Sequence, residues 1–202
     1  MLSKVKNIYQ EVIFINTVEP IRDKNKIKAM KAILKSTSIR NYLLFTLGIN
    51  SGLRISDLLK LKISDVSNGK IKDNIYIREQ KTNKEKVFEV NKSSKDAIKE
   101  YLTSLGKYEI DWYLFKSREG NNKPISRMQA YDILNDAAKL CGITDKIGTH
   151  TLRKTFGYHA RINGVDISII QDIFNHSSPG ITKRYIGISQ DEKKQVYLDL
   201  NL

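Results

Sequence analysis

The sequence predicts an α+β fold that is mainly α-helical and carries one small antiparallel β-sheet. Two observations predict it. Apolar residues recur at helical spacing over most of the chain, and only the stretch from about residue 69 to residue 90 changes to strand-type composition around a polar connection. No internal repeat and no Pro- or Gly-rich linker divides the 202 residues, so one compact unit is expected.

From Asp23 to Ser36 the residues Ile27, Met30, Ile33 and Leu34 fall at helical intervals, and the denser apolar stretch from Ile39 to Ile49 reads as a buried helix. Gly52 breaks this pattern before Ile55, Leu58, Leu59 and Leu61 resume it, which puts Arg54 at a helix start or in the turn just before it. Ile71, Ile75, Ile77, Val87, Phe88 and Val90 favour strands, and KTNKEK between them is polar, so a β-hairpin is expected. Helical patterns return at Ser93–Leu105 and Arg127–Leu140, separated by the aromatic segment WYLF and the turn-rich SREGNNKP; Trp112 reads as a core or hinge aromatic. Three short helices follow, at Thr151–Ile162, Ile167–Phe174 and Pro179–Tyr185, with Gly164 and HSSPG as breaks and a polar, partly helical tail, SQDEKKQVYLDLNL, behind them.

Hydrophobic residues at 40% and charged residues at 28% fit an ordinary globular protein, and no apolar run approaches the roughly 18 residues needed to cross a bilayer. The opening MLSKVKNIYQEVIFIN is interrupted by Glu11 and Asn16 and lacks a small-residue cleavage site, which argues against secretion. A lone cysteine, Cys141, makes no internal disulfide and agrees with a reducing cytosol, so a cytoplasmic protein without a membrane role is expected. Thirty-five Lys and Arg against 22 Asp and Glu leave a formal charge of +13, which favours a polyanionic partner such as nucleic acid. The basic residues are scattered along the chain, with no basic arm.

Four separated segments hold the polar residues that a phosphate-handling site needs: SGLRISD, EQKTNKEK, HTLRKTF and HSSPGITKRY. Taken together and in this order they resemble the tyrosine recombinase family, the phage-integrase and Xer-type site-specific recombinases. The resemblance runs from about Lys24 to Tyr185. It rests on Arg54 in a (T/S)GLR-type context with Asp57 at the supporting acidic position, Lys81 in the hairpin, His150 and Arg153 as an HxxR pair, His176 in the NHSSPG segment, and Tyr185 nine residues further on. It implies a tyrosine recombinase catalytic-domain fold with a short extension at 1–22, the catalytic domain at 23–188 and a tail at 189–202 exchanged between protomers. It also implies a site-specific recombinase or integrase that cleaves and rejoins DNA through a 3′-phosphotyrosine and a Holliday junction.

Elementary chemistry suits those assignments. In-line attack on a phosphodiester builds charge on the non-bridging oxygens, which the permanently protonated, planar donor forks of Arg54 and Arg153 match. His150 and Arg153, three apart, share a helix face, and Asp57 likewise follows Arg54 by three, where it could orient that side chain or a nearby histidine. A phenol is mostly protonated near neutrality, so Tyr185 must shed its proton as it attacks; the resemblance gives His150 that role and makes His176 a second imidazole donor. The 5′ oxygen leaves poorly as an alkoxide and calls for an acid, for which Lys81 is the candidate, with Lys84 and Lys86 as rivals. Lys84, Lys86, Lys154, Lys183 and Arg184 are read as DNA-backbone contacts. Metal-ligand spacing and a glycine-rich phosphate loop are both missing from the sequence, so neither metal nor other cofactor is expected.

Departures from the family pattern are Asn175 where glycine usually precedes the second histidine, and Thr151 and Lys154 in the HxxR segment. Few residues precede the catalytic region, so the N-terminal DNA clamp of most members is expected to be absent and DNA binding to be weak and strongly salt-dependent. The implied partners are double-stranded DNA with a specific recombination site, further copies forming a homotetramer on DNA from a monomer or weak oligomer in solution, and accessory DNA-bending proteins; a nucleoid location follows from the same reading. A type IB topoisomerase-like enzyme would share the chemistry but act alone, and a non-catalytic DNA-binding regulator with this fold would have no need of Tyr185 and Lys81 together.

Overall fold

A computed structural model of the protein describes residues 18–80, 83–188 and 197–200. Lys81, residues 1–17 of the expected extension and most of the expected tail lie outside the described residues. Helices α1 (Lys24–Thr37), α2 (Ile39–Ser51), α3 (Ile55–Leu59) and α4 (Ile63–Val66) lead into the antiparallel strands β1 (Asn74–Arg78) and β2 (Glu85–Glu89). Helices α5 (Lys92–Leu105), α6 (Arg127–Leu140), α7 (Thr151–Ile162), α8 (Ile167–Phe174) and α9 (Pro179–Ile186) follow. The mainly helical α+β expectation holds, and the longer helices begin and end within a residue or so of the sequence pattern. Helix α4 was not expected, and the periodicity through Leu61 overruns α3, which stops at Leu59 before a tight turn.

Local chemistry sets these boundaries. The Asp23 carboxylate caps α1 by accepting from the Asn25 amide, and Ser38 both ends α1 and caps α2 through its hydroxyl. Gly52 ends α2 in the left-handed region, at φ 63°, where a side chain would be strained and would press on Phe156. Helix α2 is apolar almost all round and packs against α1, α5 and α7, so it forms the centre of the main core. The segment before α1 is held to α7: Ile21 N donates to Thr155 Oγ1 at 2.9 Å, and His159 Nε2 donates to the Ile21 carbonyl at 2.9 Å.

A second, smaller apolar cluster is built from Ile170, Phe174, Ile186 and Ile188, with Phe156, Tyr158 and Tyr185 packed on it. Helix α7 serves both clusters, since Leu152 belongs to the main core and Phe156 to the smaller one. Gly157 is the point at which α8 and α9 close on α7: a Cβ there would lie 2.6 Å from Ile186 Cγ2 and 2.9 Å from two ring carbons of Phe174. Gly157→Ala should therefore destabilise the protein by about 1–3 kcal/mol in spite of alanine's better helix propensity. A urea titration would show this as a lowered midpoint with an unchanged slope.

Candidate active site

Gly52 is followed by extended backbone at Arg54, the N-cap of α3, whose side chain makes no capping bond and turns inward. Arg153 sits in the first turn of α7 and is only 2% exposed. Its Nη1 donates to the Gly52 carbonyl at 2.6 Å and its Nη2 to the Phe174 carbonyl at 2.7 Å, while the guanidinium carbon lies 4.2 Å from the centre of the Phe174 ring. Burial, reinforced by Arg54, pulls its pKa down to about 10, which still leaves it protonated at neutral pH.

His150 is the N-cap residue of α7 and makes no capping bond with its side chain, so the imidazole can reach across the cleft. Its Nδ1 lies 3.2 Å from the Tyr185 phenolic oxygen. Tyr185, in the last turn of α9, stands edge-on to His176 at 5.1 Å and to Phe174 at 5.6 Å between ring centres. His176 Nδ1 in turn meets Thr182 Oγ1 at 3.1 Å. Five residues singled out in the sequence, Arg54, His150, Arg153, His176 and Tyr185, thus meet in one place, although they come from three separated segments.

The remaining expectations divide. Asp57 does not pair with Arg54; its Oδ1 accepts from the Gln80 backbone amide at 3.0 Å and so holds the base of the hairpin. The carboxylate that meets Arg54 is Glu79, with no solvent exposure, at 2.8 Å from Arg54 Nη1. Lys154, expected on the DNA-facing surface, is buried instead, with Nζ donating to the Val18 carbonyl at 2.7 Å and lying 5.4 Å from the Tyr185 ring centre. Lys86, also expected on that surface, turns toward the cleft and donates to the Ile173 carbonyl at 2.7 Å. Burial, then repulsion from Arg153, brings the Lys86 pKa down to about 8. Lys84 and Arg184 are exposed and Lys183 half-exposed.

Strand alternation carried a signal for both residues that the sequence reading passed over. Ile75, Ile77 and Glu79 share one parity, Lys86, Phe88 and Val90 the other, and Ile77 pairs with Lys86 across the ladder. Asn175, which departs from the usual glycine, adopts the left-handed conformation that glycine would supply, at φ 49° and ψ 45°, so the turn before His176 keeps its course. Among the described residues no group of three or more His, Cys, Asp or Glu could hold a metal ion.

A model of the phage integrase family matches residues 21–192. The chain belongs to the phage integrase family. A probable integrase/recombinase of Bacillus subtilis, YoeC, is 48% identical over 183 residues, covering 91% of this chain and 97% of its own length. Tyrosine recombinases of other bacteria and an archaeon are 27–32% identical, and this chain spans between 51% and 60% of their length. Among solved structures, the XerA recombinase superposes with a TM-score of 0.72 at 24% identity over 93% of this chain and 66% of that one. The XerH recombinase, solved after cleavage of its palindromic difH substrate, superposes with a TM-score of 0.69 at 18% identity over 90% and 53%. The chain is a tyrosine-type DNA strand transferase of the site-specific recombinase class, with the catalytic-domain fold of that class. No helix among the described residues is long and apolar enough to cross a membrane.

The charge around His150 has a measurable consequence. Partial desolvation, then Arg127, Arg153, Lys154 and Arg54, lowers its pKa below the ordinary 6.5. The unfolded chain therefore takes this proton more readily, and the residue's contribution to stability is full above pH 6.5 and is lost as pH falls. An NMR titration should place the His150 midpoint below 6.5, and Arg127→Gln should move it upward. A midpoint at or above 6.5 would contradict the electrostatic picture.

Proposed function

We propose that the chain cleaves and rejoins DNA at a specific site through a 3′-phosphotyrosine on Tyr185, and exchanges strands through a Holliday junction. The observation that carries this reading is the Tyr185 phenol, 3.2 Å from His150 Nδ1 and in the same cleft as Arg54 and Arg153. Burial raises the phenol pKa above its ordinary value, against the pull of Arg153 and Arg54, so the resting nucleophile is the neutral phenol and needs a base.

In the proposed step the Tyr185 oxygen attacks phosphorus as its proton passes to His150 Nδ1. The bond from phosphorus to the 5′ oxygen breaks, and Lys81 returns a proton to that oxygen. Arg54 and Arg153 take the charge that grows on the non-bridging oxygens. Of the five N–H groups of Arg153 two are given to backbone carbonyls, which fixes the plane of the fork and leaves the others for phosphate. His176, set by Thr182, donates to the same phosphate. Religation runs the sequence backwards, with the 5′ hydroxyl of a second strand as nucleophile and Lys81 as base. Lys84, Lys183 and Arg184 supply backbone contacts with double-stranded DNA, and copies of the chain assemble as a tetramer on paired sites through the tail, with accessory DNA-bending proteins selecting direction.

A suicide substrate nicked beside the scissile phosphate tests the reading, because the short 5′ product diffuses away and traps the adduct. The wild-type chain should accumulate covalent protein–DNA complex, and Tyr185→Phe should form none. Arg54→Ala and Arg153→Ala should each slow cleavage on the order of 10²–10³-fold. A substrate with sulfur at the 5′ bridging position, a good leaving group, should restore Lys81→Ala and not Arg54→Ala. Lack of any adduct on substrates bearing the chain's own site would overturn the reading in favour of a DNA-binding regulator, and relaxation of supercoils by a monomer without pairing of sites would favour a topoisomerase.

A further inference from the structure

No step of the chemistry above uses Glu79, although its carboxylate is fully buried beside the phosphate clamp. One carboxylate oxygen lies 2.8 Å from Arg54 Nη1, and the other accepts from Asn175 Nδ2 at 3.0 Å. Its backbone closes the hairpin, since its amide donates to the Lys84 carbonyl at 2.9 Å and its carbonyl accepts from the Asn83 amide at 2.8 Å. The next residue, Gln80, is bound through its amide to Asp57, three positions beyond Arg54. The end of β1 and the residues just after it are therefore fastened to the start of α3 at two adjacent residues, Glu79 and Gln80, and to the loop before His176 through Glu79.

Burial of a carboxylate is costly unless its lone pairs are met, and an apolar side chain would suit this inward strand position, which continues the parity of Ile75 and Ile77, at lower cost. A carboxylate here thus does something that packing does not require. What it offers is geometric: one oxygen ion-paired with Arg54 and the other accepting from Asn175, two groups from segments far apart in sequence, one the proposed clamp and the other the neighbour of a proposed phosphate donor. Arg54 keeps its remaining N–H groups for the phosphate while one terminal nitrogen is held. Asn175 contributes because its left-handed backbone aims the amide back toward the hairpin, a bond that glycine at this position would not make.

We propose that Glu79 is a positioning residue: through its two oxygens it sets the Arg54 guanidinium, holds the Asn175–His176 turn, and ties the seat of the Lys81 hairpin to the phosphate clamp. The proposal rests on the strand-transfer reading above and adds to it a link between the hairpin and the clamp. It implies that the carboxylate acts on the rate of the chemical step rather than on DNA affinity, and that the part of its effect lost in Glu79→Gln passes through Arg54.

The test is single-turnover cleavage of the nicked substrate at saturating DNA, with affinity measured separately. Glu79→Ala should lower the cleavage rate constant by about 10–100-fold, in the range found for groups that orient an active residue, with affinity changed less than about twofold. Glu79→Gln keeps the shape and, after a flip of the Asn175 amide, one acceptor for Arg54, so a smaller loss is expected; Asn175→Gly keeps the turn and should lose only a few-fold. In the Arg54→Ala background Glu79→Gln should cost nothing further, a non-additivity that a merely structural role would not produce. Thermal melting of each variant checks the fold, and the isosteric Gln variant keeps the test open if the Ala variant does not fold. Cleavage within about twofold of wild type in both Glu79 variants, or an undiminished loss in the Arg54→Ala background, would overturn the assignment. Failure of the wild-type chain itself to form adduct would instead overturn the strand-transfer reading, so the two failures are distinct.

Discussion

The guanidinium of Arg153 is the constraint around which the cleft is organised. It is buried, and its two terminal nitrogens are given to carbonyls at Gly52 and Phe174, the ends of two helices that are remote in sequence. A helix end leaves carbonyls without intrahelical partners, and a buried cation is tolerated only when its donors are met. One group satisfies both needs. The same bonds fix where Arg54 begins α3, two residues after Gly52, and where the turn leads to His176, two residues after Phe174. The face of Phe174 lies under the guanidinium and its edge meets Tyr185, so the apolar cluster that seats the phenol is packed on the residue that orients the clamp.

This arrangement explains why the cleft needs a glycine and an asparagine at its corners. Gly52 must turn left-handed to present its carbonyl to Arg153, and Asn175 must do so to carry the chain from α8 to His176. Asparagine is among the side chains that visit that region at small cost, which is why the loss of glycine there leaves the turn intact. The substituted side chain then gains a bond to Glu79 that glycine lacks.

Much of the fold was legible because the long helices are amphipathic or uniformly apolar and end at residues with clear capping chemistry: Asp23, Ser38, Gly52 and Ser126. Helix α4 was not legible, since four residues give no period to read. Tyr185, His150, His176 and both arginines could be picked out because the four segments that carry them, taken in order, resemble the motifs of the tyrosine recombinase family. The inward placement of Glu79 and Lys86 had only strand parity to announce it, and that of Lys154 had no signal, because a charged residue in a hairpin or on a helix is ordinarily solvated. Asp57 shows another case: the sequence placed it beside Arg54, but its partner is a backbone amide brought in by the hairpin rather than the arginine three positions before it.

The charges so gathered also bear on when the nucleophile is active. In the proposed reaction Arg54, Arg153 and Lys86 face Asp57 and Glu79, leaving a small positive excess that a phosphodiester would neutralise. Before DNA enters, partial desolvation and then repulsion from Arg127, Arg153, Lys154 and Arg54 disfavour the imidazolium at His150, and burial keeps Tyr185 protonated in spite of Arg153 and Arg54. A bound phosphate reverses the sign of the field at His150, stabilising the imidazolium that forms as the phenol gives up its proton. The arginine clamp absorbs the charge that moves on to the phosphate oxygens. In the proposed reaction a bound phosphate therefore makes His150 a better acceptor for the Tyr185 proton than it is in the empty cleft.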